Sequence, residues 1–182
     1  VWIDVVEKGS NMCIMFNKEI MDALGITRED VQTEDGFYAA CEKVKTSGYQ
    51  VDGQSVLPVV LQCNLWINSS LDAIVAWNFG AVPVDENGNY RHTELSPGYK
   101  NGLKFLNNLV QDGYLDVNTL TIDETALKTY LDAKRVFCWI GNQAQQDKTN
   151  MPWVSFGPIL ASNGARPAMP VNQSAGTGGI QT

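Results

Sequence analysis

An early segment of the chain, residues 11–44, most constrains the fold because each of its junctions carries a characteristic residue. Residues 12–16 are apolar and predict a strand, and Asn17 suits the cap of a short helix that follows. Gly25 suits the left-handed residue that closes this helix. Thr33 precedes acidic residues, which favour the positive end of a second helix. The segment therefore predicts a strand followed by two separately capped helices.

The rest of the chain alternates further helices with short apolar strands. Residues 34–45 have helical spacing, and a Ser-Pro pair at residues 96–97 begins the strongest helix pattern. Pro58 favours an edge strand or an early position within the strand for the apolar run at residues 56–61. Residues 136–140 are continuously apolar, which is typical of a strand covered on both faces, and residues 141–143 predict the start of another short helix. This order predicts an α/β fold.

Four further features complete the predicted order of elements. Residues 65–79 predict a helix, and Asn87-Gly88 is a strong signal for a hairpin turn. Thr121 with Glu124 predicts a capping box at the start of another helix, and residues 153–160 predict a last strand. Beyond residue 160 the sequence is rich in glycine, alanine, asparagine and proline, which predicts an open connection.

Length and composition limit the classes of protein to which the chain can belong. With 182 residues, 44% apolar and 18% charged, it fits one globular domain or one lobe of a larger protein. The net charge of −7 argues against nucleic acid as a partner, since phosphate binding requires cations. The start at Val1 without a methionine and the loose tail at residues 174–182 favour a piece of a longer polypeptide.

The four cysteines do not form a metal-binding or redox motif. Cys13, Cys41, Cys63 and Cys138 are widely spaced, and no CxxC or Cys/His spacing suits zinc. Their apolar surroundings predict buried free thiols, because free cysteine behaves as a small hydrophobic residue. A disulfide stays open as an alternative if the compartment is oxidising.

The sequence offers no recognisable catalytic, metal or cofactor site. The single histidine, His92, lies in a polar stretch that predicts a solvated surface position. No GxSxG elbow, Walker loop or GxGxxG motif follows a strand, and the adjacent carboxylate pairs lie at helix starts, where capping explains them. We therefore predict a non-enzymatic protein without metal or cofactor. A glycosidase carboxylate pair stays open, because its two members meet only in space.

Tryptophan and amide residues occur together where strands end. Trp66, Trp139 and Trp153 lie where a predicted strand ends or a helix begins, and the carboxyl ends of strands in an α/β sheet are common ligand sites. An aromatic ring packs against the C–H groups of a sugar while amides bond its hydroxyls. A core position is the alternative for each tryptophan and is favoured for Trp139. The predicted ligand contacts are Asn64, Trp66, Asn142, Gln143 and Trp153.

Four segments of the chain carry a resemblance to a known family. In chain order they read NMCIMFNKEIMDALGITREDVQTEDGFYAACEKV, DENGNYR, YKNGLKFLNNLVQDGYLD and LDAKRVFCWIGNQA. Their order and spacing resemble those of the family 1 extracellular solute-binding proteins, the carbohydrate-capturing subunits of ABC importers. The resemblance implies that Asn64, Trp66, Asn142 and Gln143 contact the sugar. The family's frequent G-x-W motif reads here as Gly141-Asn142-Gln143, which departs from the family pattern.

The resemblance also implies an architecture and a cellular role. The chain would be mostly the second lobe of a type 2 periplasmic-binding-protein fold, with a short sheet flanked by helices. Residues 1–16 would cross the hinge, residues 17–160 would form the ligand-binding lobe, and residues 161–182 would return toward the first lobe. The full-length protein would capture an oligosaccharide outside the cell, as a lipoprotein or in the periplasm, and deliver it to a membrane permease. A same-fold receptor for another solute, a carbohydrate-active enzyme domain and a structural or interaction domain stay open as alternatives.

Overall fold

A computed structural model of the chain describes residues 12–61, 74–75, 78–85, 87–142, 153–165 and 167. Within this part, four helices and six short strands alternate, which confirms the predicted α/β class. The strands are β1 (Met12–Asn17), β2 (Gln50–Val51), β3 (Gln54–Ser55), β4 (Leu57–Leu61), β5 (Val136–Asn142) and β6 (Trp153–Val154). The helices are α1 (Lys18–Leu24), α2 (Glu34–Thr46), α3 (Pro97–Gln111) and α4 (Glu124–Asp132). Short 3-10 turns lie at Glu29–Val31, Thr93–Leu95 and Val117–Leu120.

Four of the strands form a mixed sheet in the order β4-β5-β1-β6. β4 and β5 run parallel, whereas β1 is antiparallel to both β5 and β6. β4 therefore lies at an edge of this sheet, as Pro58 predicts. The Val59 amide on β4 donates to the Tyr114 carbonyl at 3.0 Å, so this edge is partly covered by the chain that follows α3.

The caps predicted for the first two helices are confirmed. The Asn17 side-chain oxygen accepts hydrogen bonds from the Glu19 and Ile20 amides at 3.0 and 3.4 Å. Gly25 closes α1 with a φ of 59°, a conformation that favours glycine. The Thr33 hydroxyl accepts from the Gly36 amide at 3.1 Å and caps α2. Local side-chain chemistry thus sets the ends of both helices.

Apolar side chains cover both faces of the sheet, because successive residues of a strand point to opposite faces. Phe16 on β1 packs against Phe37 of α2, with the ring centroids 6.1 Å apart. Met15 and Trp139 instead belong to a second cluster that includes Leu127 and Leu131 of α4. Residues 137–140 of β5 are fully buried, which confirms a strand covered on both faces. Cys41 and Cys138 are buried and free, as predicted for the thiols in this part of the chain.

Three predicted element boundaries are wrong. β5 continues through Asn142, two residues beyond its predicted end at Ile140, in place of the helix start predicted there, because residues 141 and 142 still pair with β1. Asp123, rather than Thr121, caps α4, because its carboxylate accepts from the Ala126 amide at 2.7 Å. The predicted strand at residues 153–160 ends already at Val154. The chain then leaves the sheet and reaches α2, where the Leu160 amide donates to the Gln32 carbonyl at 2.7 Å. The chain changes direction near Gly157, whose φ of 87° does not fit a strand.

Two other predicted elements have different outcomes. The hairpin turn at Asn87-Gly88 is confirmed by the antiparallel bridge between Val84 and Tyr90. Most of the predicted helix at residues 65–79 lies outside the described residues. None of the described helices is long and apolar enough to cross a membrane.

Candidate functional site

The parallel pairing of β4 and β5 brings the ends of both strands to one edge of the sheet. Leu61, the last residue of β4, pairs with Ile140, two residues before the end of β5. Met12, the first residue of β1, pairs with Asn142, the last residue of β5. We call this end of the strands the carboxyl edge and define it by Leu61, Asn142 and Met12. It is distinct from the side of the sheet that β4 forms. Edges of this kind are where ligands bind in many α/β sheets.

The predicted contact Asn142 lies directly at the carboxyl edge, where its backbone pairs with that of Met12. Its position is fixed by β5, whose neighbouring residues Trp139 and Ile140 are fully buried. The structure therefore places the backbone of Asn142 within the paired part of the sheet.

Three of the other predicted contacts, Asn64, Trp66 and Gln143, lie outside the described residues. In the sequence, Asn64 follows the end of β4 by three residues, and Gln143 directly follows Asn142. Their contacts with a ligand stay a prediction.

The fifth predicted contact, Trp153, lies at the opposite end of the sheet. It pairs with Asn17, the last residue of β1, whereas Asn142 pairs with the first residue of that strand. Five residue steps along β1 separate the two positions, or about 17 Å. The Trp153 side chain is 6% exposed, and its ring meets the ring of Trp139 edge-on at 5.5 Å. The structure thus does not bring Trp153 together with Asn142.

The fully buried Trp139 has the core position that the sequence favours for it. Its ring packs between the sheet and α4, in the cluster that also holds Leu127. Together with Trp153 it forms an edge-on aromatic pair on this face, with the ring centroids 5.5 Å apart. These two tryptophans therefore contribute to stability in the described part of the chain.

A residue that sequence reasoning missed, Asn78, connects two distant parts of the fold. It is fully buried, and its side-chain amide donates to the Ile159 carbonyl at 2.8 Å. Its side-chain oxygen accepts from the Ile159 amide, also at 2.8 Å. Asn78 thereby satisfies both backbone groups of Ile159, as a neighbouring strand would in a sheet. The only sequence signal was an amide residue within an apolar stretch.

A groove of about 510 Å³ lies elsewhere, lined by Val82, Val84, Asp85, Arg91 and Pro97. None of its lining residues is a predicted ligand contact. Hydrogen bonds from Asn89 and Asn87, with the nearby Arg91 charge, lower the pKa of the Asp85 carboxyl below its usual value. The carboxylate is thus ionised, and its hydrogen bonds stabilise the turn around Asn87.

The described residues do not assemble a reactive cluster. No group of three or more His, Cys, Asp or Glu side chains in this part of the chain could hold a metal ion. His92 is exposed and meets the Tyr90 ring edge-on at 6.1 Å, in line with the predicted surface position. Burial raises the pKa of the Cys138 thiol well above its ordinary value, so this thiol stays protonated and unreactive.

Comparison with solved structures identifies the fold. The S. pneumoniae ABC-transporter substrate-binding protein FusA, solved as an EF-hand mutant with fructo-nystose, superposes over 90% of this chain with a TM-score of 0.71 and 17% identity. A sugar transporter from Arthrobacter chlorophenolicus with bound laminaribiose superposes over 85%, with a TM-score of 0.66 and 14% identity. A sugar transporter from Bacillus licheniformis in complex with stachyose superposes over 88%, with a TM-score of 0.60 and 13% identity. The chain has the fold of part of a substrate-binding protein.

This substrate-binding fold is only partly represented in the chain. The chain spans 35%, 38% and 42% of the length of those three structures. No family model matches the sequence, and no curated protein matches it. The similar structures are binding proteins rather than enzymes. The identities below 20% are too low to carry individual residue roles across, so the likeness fixes the architecture.

Proposed function

We propose that this chain is mostly the second lobe of an extracellular substrate-binding protein and that it captures an oligosaccharide for an ABC importer. The observation that carries the proposal is the parallel β4–β5 pair, which brings the end of β4 and the end of β5 at Asn142 to one edge of the sheet. We expect Asn64, which follows β4 in the sequence, to contact the ligand at this edge. The fold likeness to three proteins solved with sugar ligands supports the same class of ligand.

The chemistry of the proposed contacts suits a neutral, hydroxyl-rich ligand. The amides of Asn64, Asn142 and Gln143 can each donate to and accept from sugar hydroxyls. The indole of Trp66 would supply the apolar face on which the C–H groups of the sugar ring pack. Trp153 stays a predicted contact with less support, because its side chain is buried beside Trp139.

The mechanism we propose is capture by closure, without a chemical step. Two lobes would close around the sugar, and the closed form would present a surface to a membrane permease. Residues 1–16 would cross the hinge, residues 17–160 would form this lobe, and residues 161–182 would lead toward the other lobe. Anchoring as a lipoprotein, or a periplasmic location, belongs to the same proposal. One lobe would hold half of the site and would bind weakly, because water still reaches the ligand.

Calorimetric titration of a polypeptide that carries both lobes tests this proposal. We expect heat of binding from at least one member of a panel of di- to pentasaccharides. Trp66→Ala and Asn142→Ala should each weaken binding at least about tenfold, which corresponds to about 1.4 kcal/mol. Asn107→Ala, on the exposed surface of α3, is the matched control and should leave the affinity unchanged.

Two outcomes would overturn the proposal. If no sugar gives heat while peptides or polyamines do, the chain belongs to a receptor for another solute. If the sugar is shortened during the titration, as chromatography of the recovered ligand would reveal, the protein is a carbohydrate-active enzyme.

A further inference from the structure

Three Asn-Gly pairs occur in the described part of the chain, at Asn87, Asn101 and Asn163. In such a pair the backbone nitrogen of the glycine can attack the side-chain carbonyl carbon of the asparagine. The nucleophile and the leaving group are the same in all three pairs. Any difference in their reactivity therefore comes from the structure around each pair.

The surroundings of Asn163 favour this attack. Asn163 is exposed, and the adjacent Gly164 has a φ of 74° with open space on the side where a Cβ would lie; Asn87 and Gly88 share these features, so they separate Asn163 from Asn101 only. The Ala165 amide donates to the Asn163 side-chain oxygen at 3.0 Å. This donor polarises the carbonyl and faces the oxygen on which negative charge would develop. The hydrogen bond from the Gly164 amide to the Ala161 carbonyl, 3.0 Å long, must open to free the attacking nitrogen.

The turn that contains Asn87 is held more firmly. The Asp85 carboxylate accepts from the Asn87 and Asn89 amides at 2.9 and 2.8 Å. The lowered pKa of Asp85 keeps this carboxylate ionised, which strengthens both bonds. The Gly88 amide also donates to the Asp85 carbonyl at 3.0 Å. Freeing the Gly88 nitrogen therefore requires several bonds of the turn to open together.

The pair at Asn101 is held most firmly, because it lies inside α3. Gly102 is buried, and a Cβ built on it would lie 1.9 Å from the Val75 carbonyl oxygen. This close approach shows that the backbone at Gly102 cannot move without disturbing a neighbouring segment. Attack by its nitrogen would require local unfolding of the helix, which is rarer than the opening of a surface turn.

We propose that Asn163 is a site of spontaneous self-modification, by cyclisation with Gly164. The Gly164 nitrogen loses its proton to a solvent base and bonds to the Asn163 side-chain carbon. The side-chain nitrogen takes up a proton from water and leaves as ammonia, which gives a succinimide. One water molecule then opens the ring at either carbonyl and leaves aspartate or isoaspartate. The net change is the exchange of one amide for one carboxyl group.

The new charge would arise beside an acidic contact. The Ser162 amide donates to the Glu34 carboxylate at 2.9 Å, and the Ser162 hydroxyl donates to the Asp35 carboxylate at 3.2 Å. A carboxylate at position 163 adds like charge next to these two groups. Isoaspartate would in addition lengthen the backbone by one methylene. The attachment of the chain around Ser162 to the start of α2 should loosen as the modification accumulates.

Ageing of the folded chain at mildly alkaline pH, followed by peptide mapping with mass spectrometry, tests the proposal. We expect Asn163 to convert several-fold faster than Asn87 and at least about tenfold faster than Asn101, because the helix must unfold locally. The same incubation in concentrated urea is the control and should bring the three rates together. Asp85→Ala should accelerate conversion at Asn87 alone, because it removes the carboxylate that holds that turn.

The proposal is overturned if Asn87 or Asn101 converts as fast as Asn163 in the folded chain. It is also overturned if Asn163 shows no conversion, or if the same order of rates persists in urea. In that last case the flanking sequence, rather than the structure, would set the order.

Discussion

Substitution of the buried Asn78 should cost more stability than any exposed amide in the chain. Its side chain makes two hydrogen bonds of 2.8 Å to the backbone of Ile159, which is itself 1% exposed. In Asn78→Ala the Ile159 amide and carbonyl lose their partner. Each orphaned buried group costs about 1–3 kcal/mol, so the free energy of unfolding should fall by about 4 kcal/mol. That is a large share of the roughly 5–15 kcal/mol available to a domain.

Asn78→Asp separates the loss of the donor from the loss of the side chain. An aspartate keeps the acceptor for the Ile159 amide but, when ionised, places a charge against the Ile159 carbonyl. Burial should raise the pKa of this carboxyl, because it disfavours the charged form. With the folded pKa above the unfolded value of about 3.9, the protonated form stabilises the fold at low pH. This stabilisation is lost as the pH rises through the folded pKa.

Urea denaturation followed by circular dichroism, at neutral pH and near pH ~5, measures these effects. Asn107→Ala on α3 is the matched control, since an exposed substitution changes stability by only about 0.5 kcal/mol. The difference in the free energy of unfolding between Asn78→Asp and the unmodified chain should be smaller at the lower pH. The reasoning is refuted if Asn78→Ala behaves like Asn107→Ala, or if the Asn78→Asp difference is the same at both pH values.

Two further substitutions probe the packing of α3 and the chain that follows it. Gly102→Ala should lower the free energy of unfolding by about 2 kcal/mol, because the new Cβ would clash with the Val75 carbonyl oxygen. This overpacking outweighs the better helix propensity of alanine. Urea denaturation measures the change. Glu42→Gln should lower the pKa of Tyr114 from its raised value of about 12, because the Glu42 carboxylate that accepts the Tyr114 hydroxyl at 2.7 Å becomes neutral; absorbance titration of tyrosinate measures it.

Each of these two predictions has a control within the chain. Lys100→Ala, on the exposed side of α3, should be nearly neutral, and a stabilising Gly102→Ala would contradict the close approach to Val75. Tyr38 also has a pKa raised to about 12, but burial is the main cause, and its titration should hardly change in Glu42→Gln. An unchanged Tyr114 pKa would contradict the role given to the Glu42 carboxylate.

Features with a local cause could be predicted from the sequence. The bounds of α1 follow from Asn17 and Gly25, whose side-chain and backbone preferences act within a few residues. Pro58 correctly predicts an edge strand, because proline cannot donate to a second neighbour. The continuous apolar run of β5 correctly predicts burial on both faces. In each case the residue itself carries the physical constraint.

Features that depend on distant partners could not be predicted in this way. The pairing of Asn78 with Ile159 joins residues 81 positions apart, and nothing near either residue signals it. β6 ends early because the chain turns away from the sheet, and the backbone of Leu160 forms hydrogen bonds with Gln32 and Glu34 at the start of α2. The capping-box pattern of Thr121 and Glu124 predicts the wrong α4 cap, because Asp123 lies nearer to the helix and accepts from the Ala126 amide instead.

The candidate site also combines features with a local cause and features that depend on distant partners. The apolar run of β5 predicts a strand directly before Asn142, although the strand extends through Asn142 rather than ending at Ile140. The parallel pairing that brings the end of β4 beside it is a property of the sheet order, which sequence patterns do not encode. Trp153 is the first residue of β6, and its pairing with Asn17 places it at the opposite end of β1 from Asn142, which the sequence does not indicate.

The most direct test of the account is to map oligosaccharide binding on the chain by amide chemical shifts. We titrate the isotope-labelled chain with a soluble oligosaccharide up to high concentration, because one lobe should bind weakly. The account predicts that the largest shift changes cluster at the carboxyl edge, at Leu61, Asn142 and Met12 and their neighbours. Changes confined to the groove at Val84 and Arg91, or no change at the carboxyl edge, would contradict it.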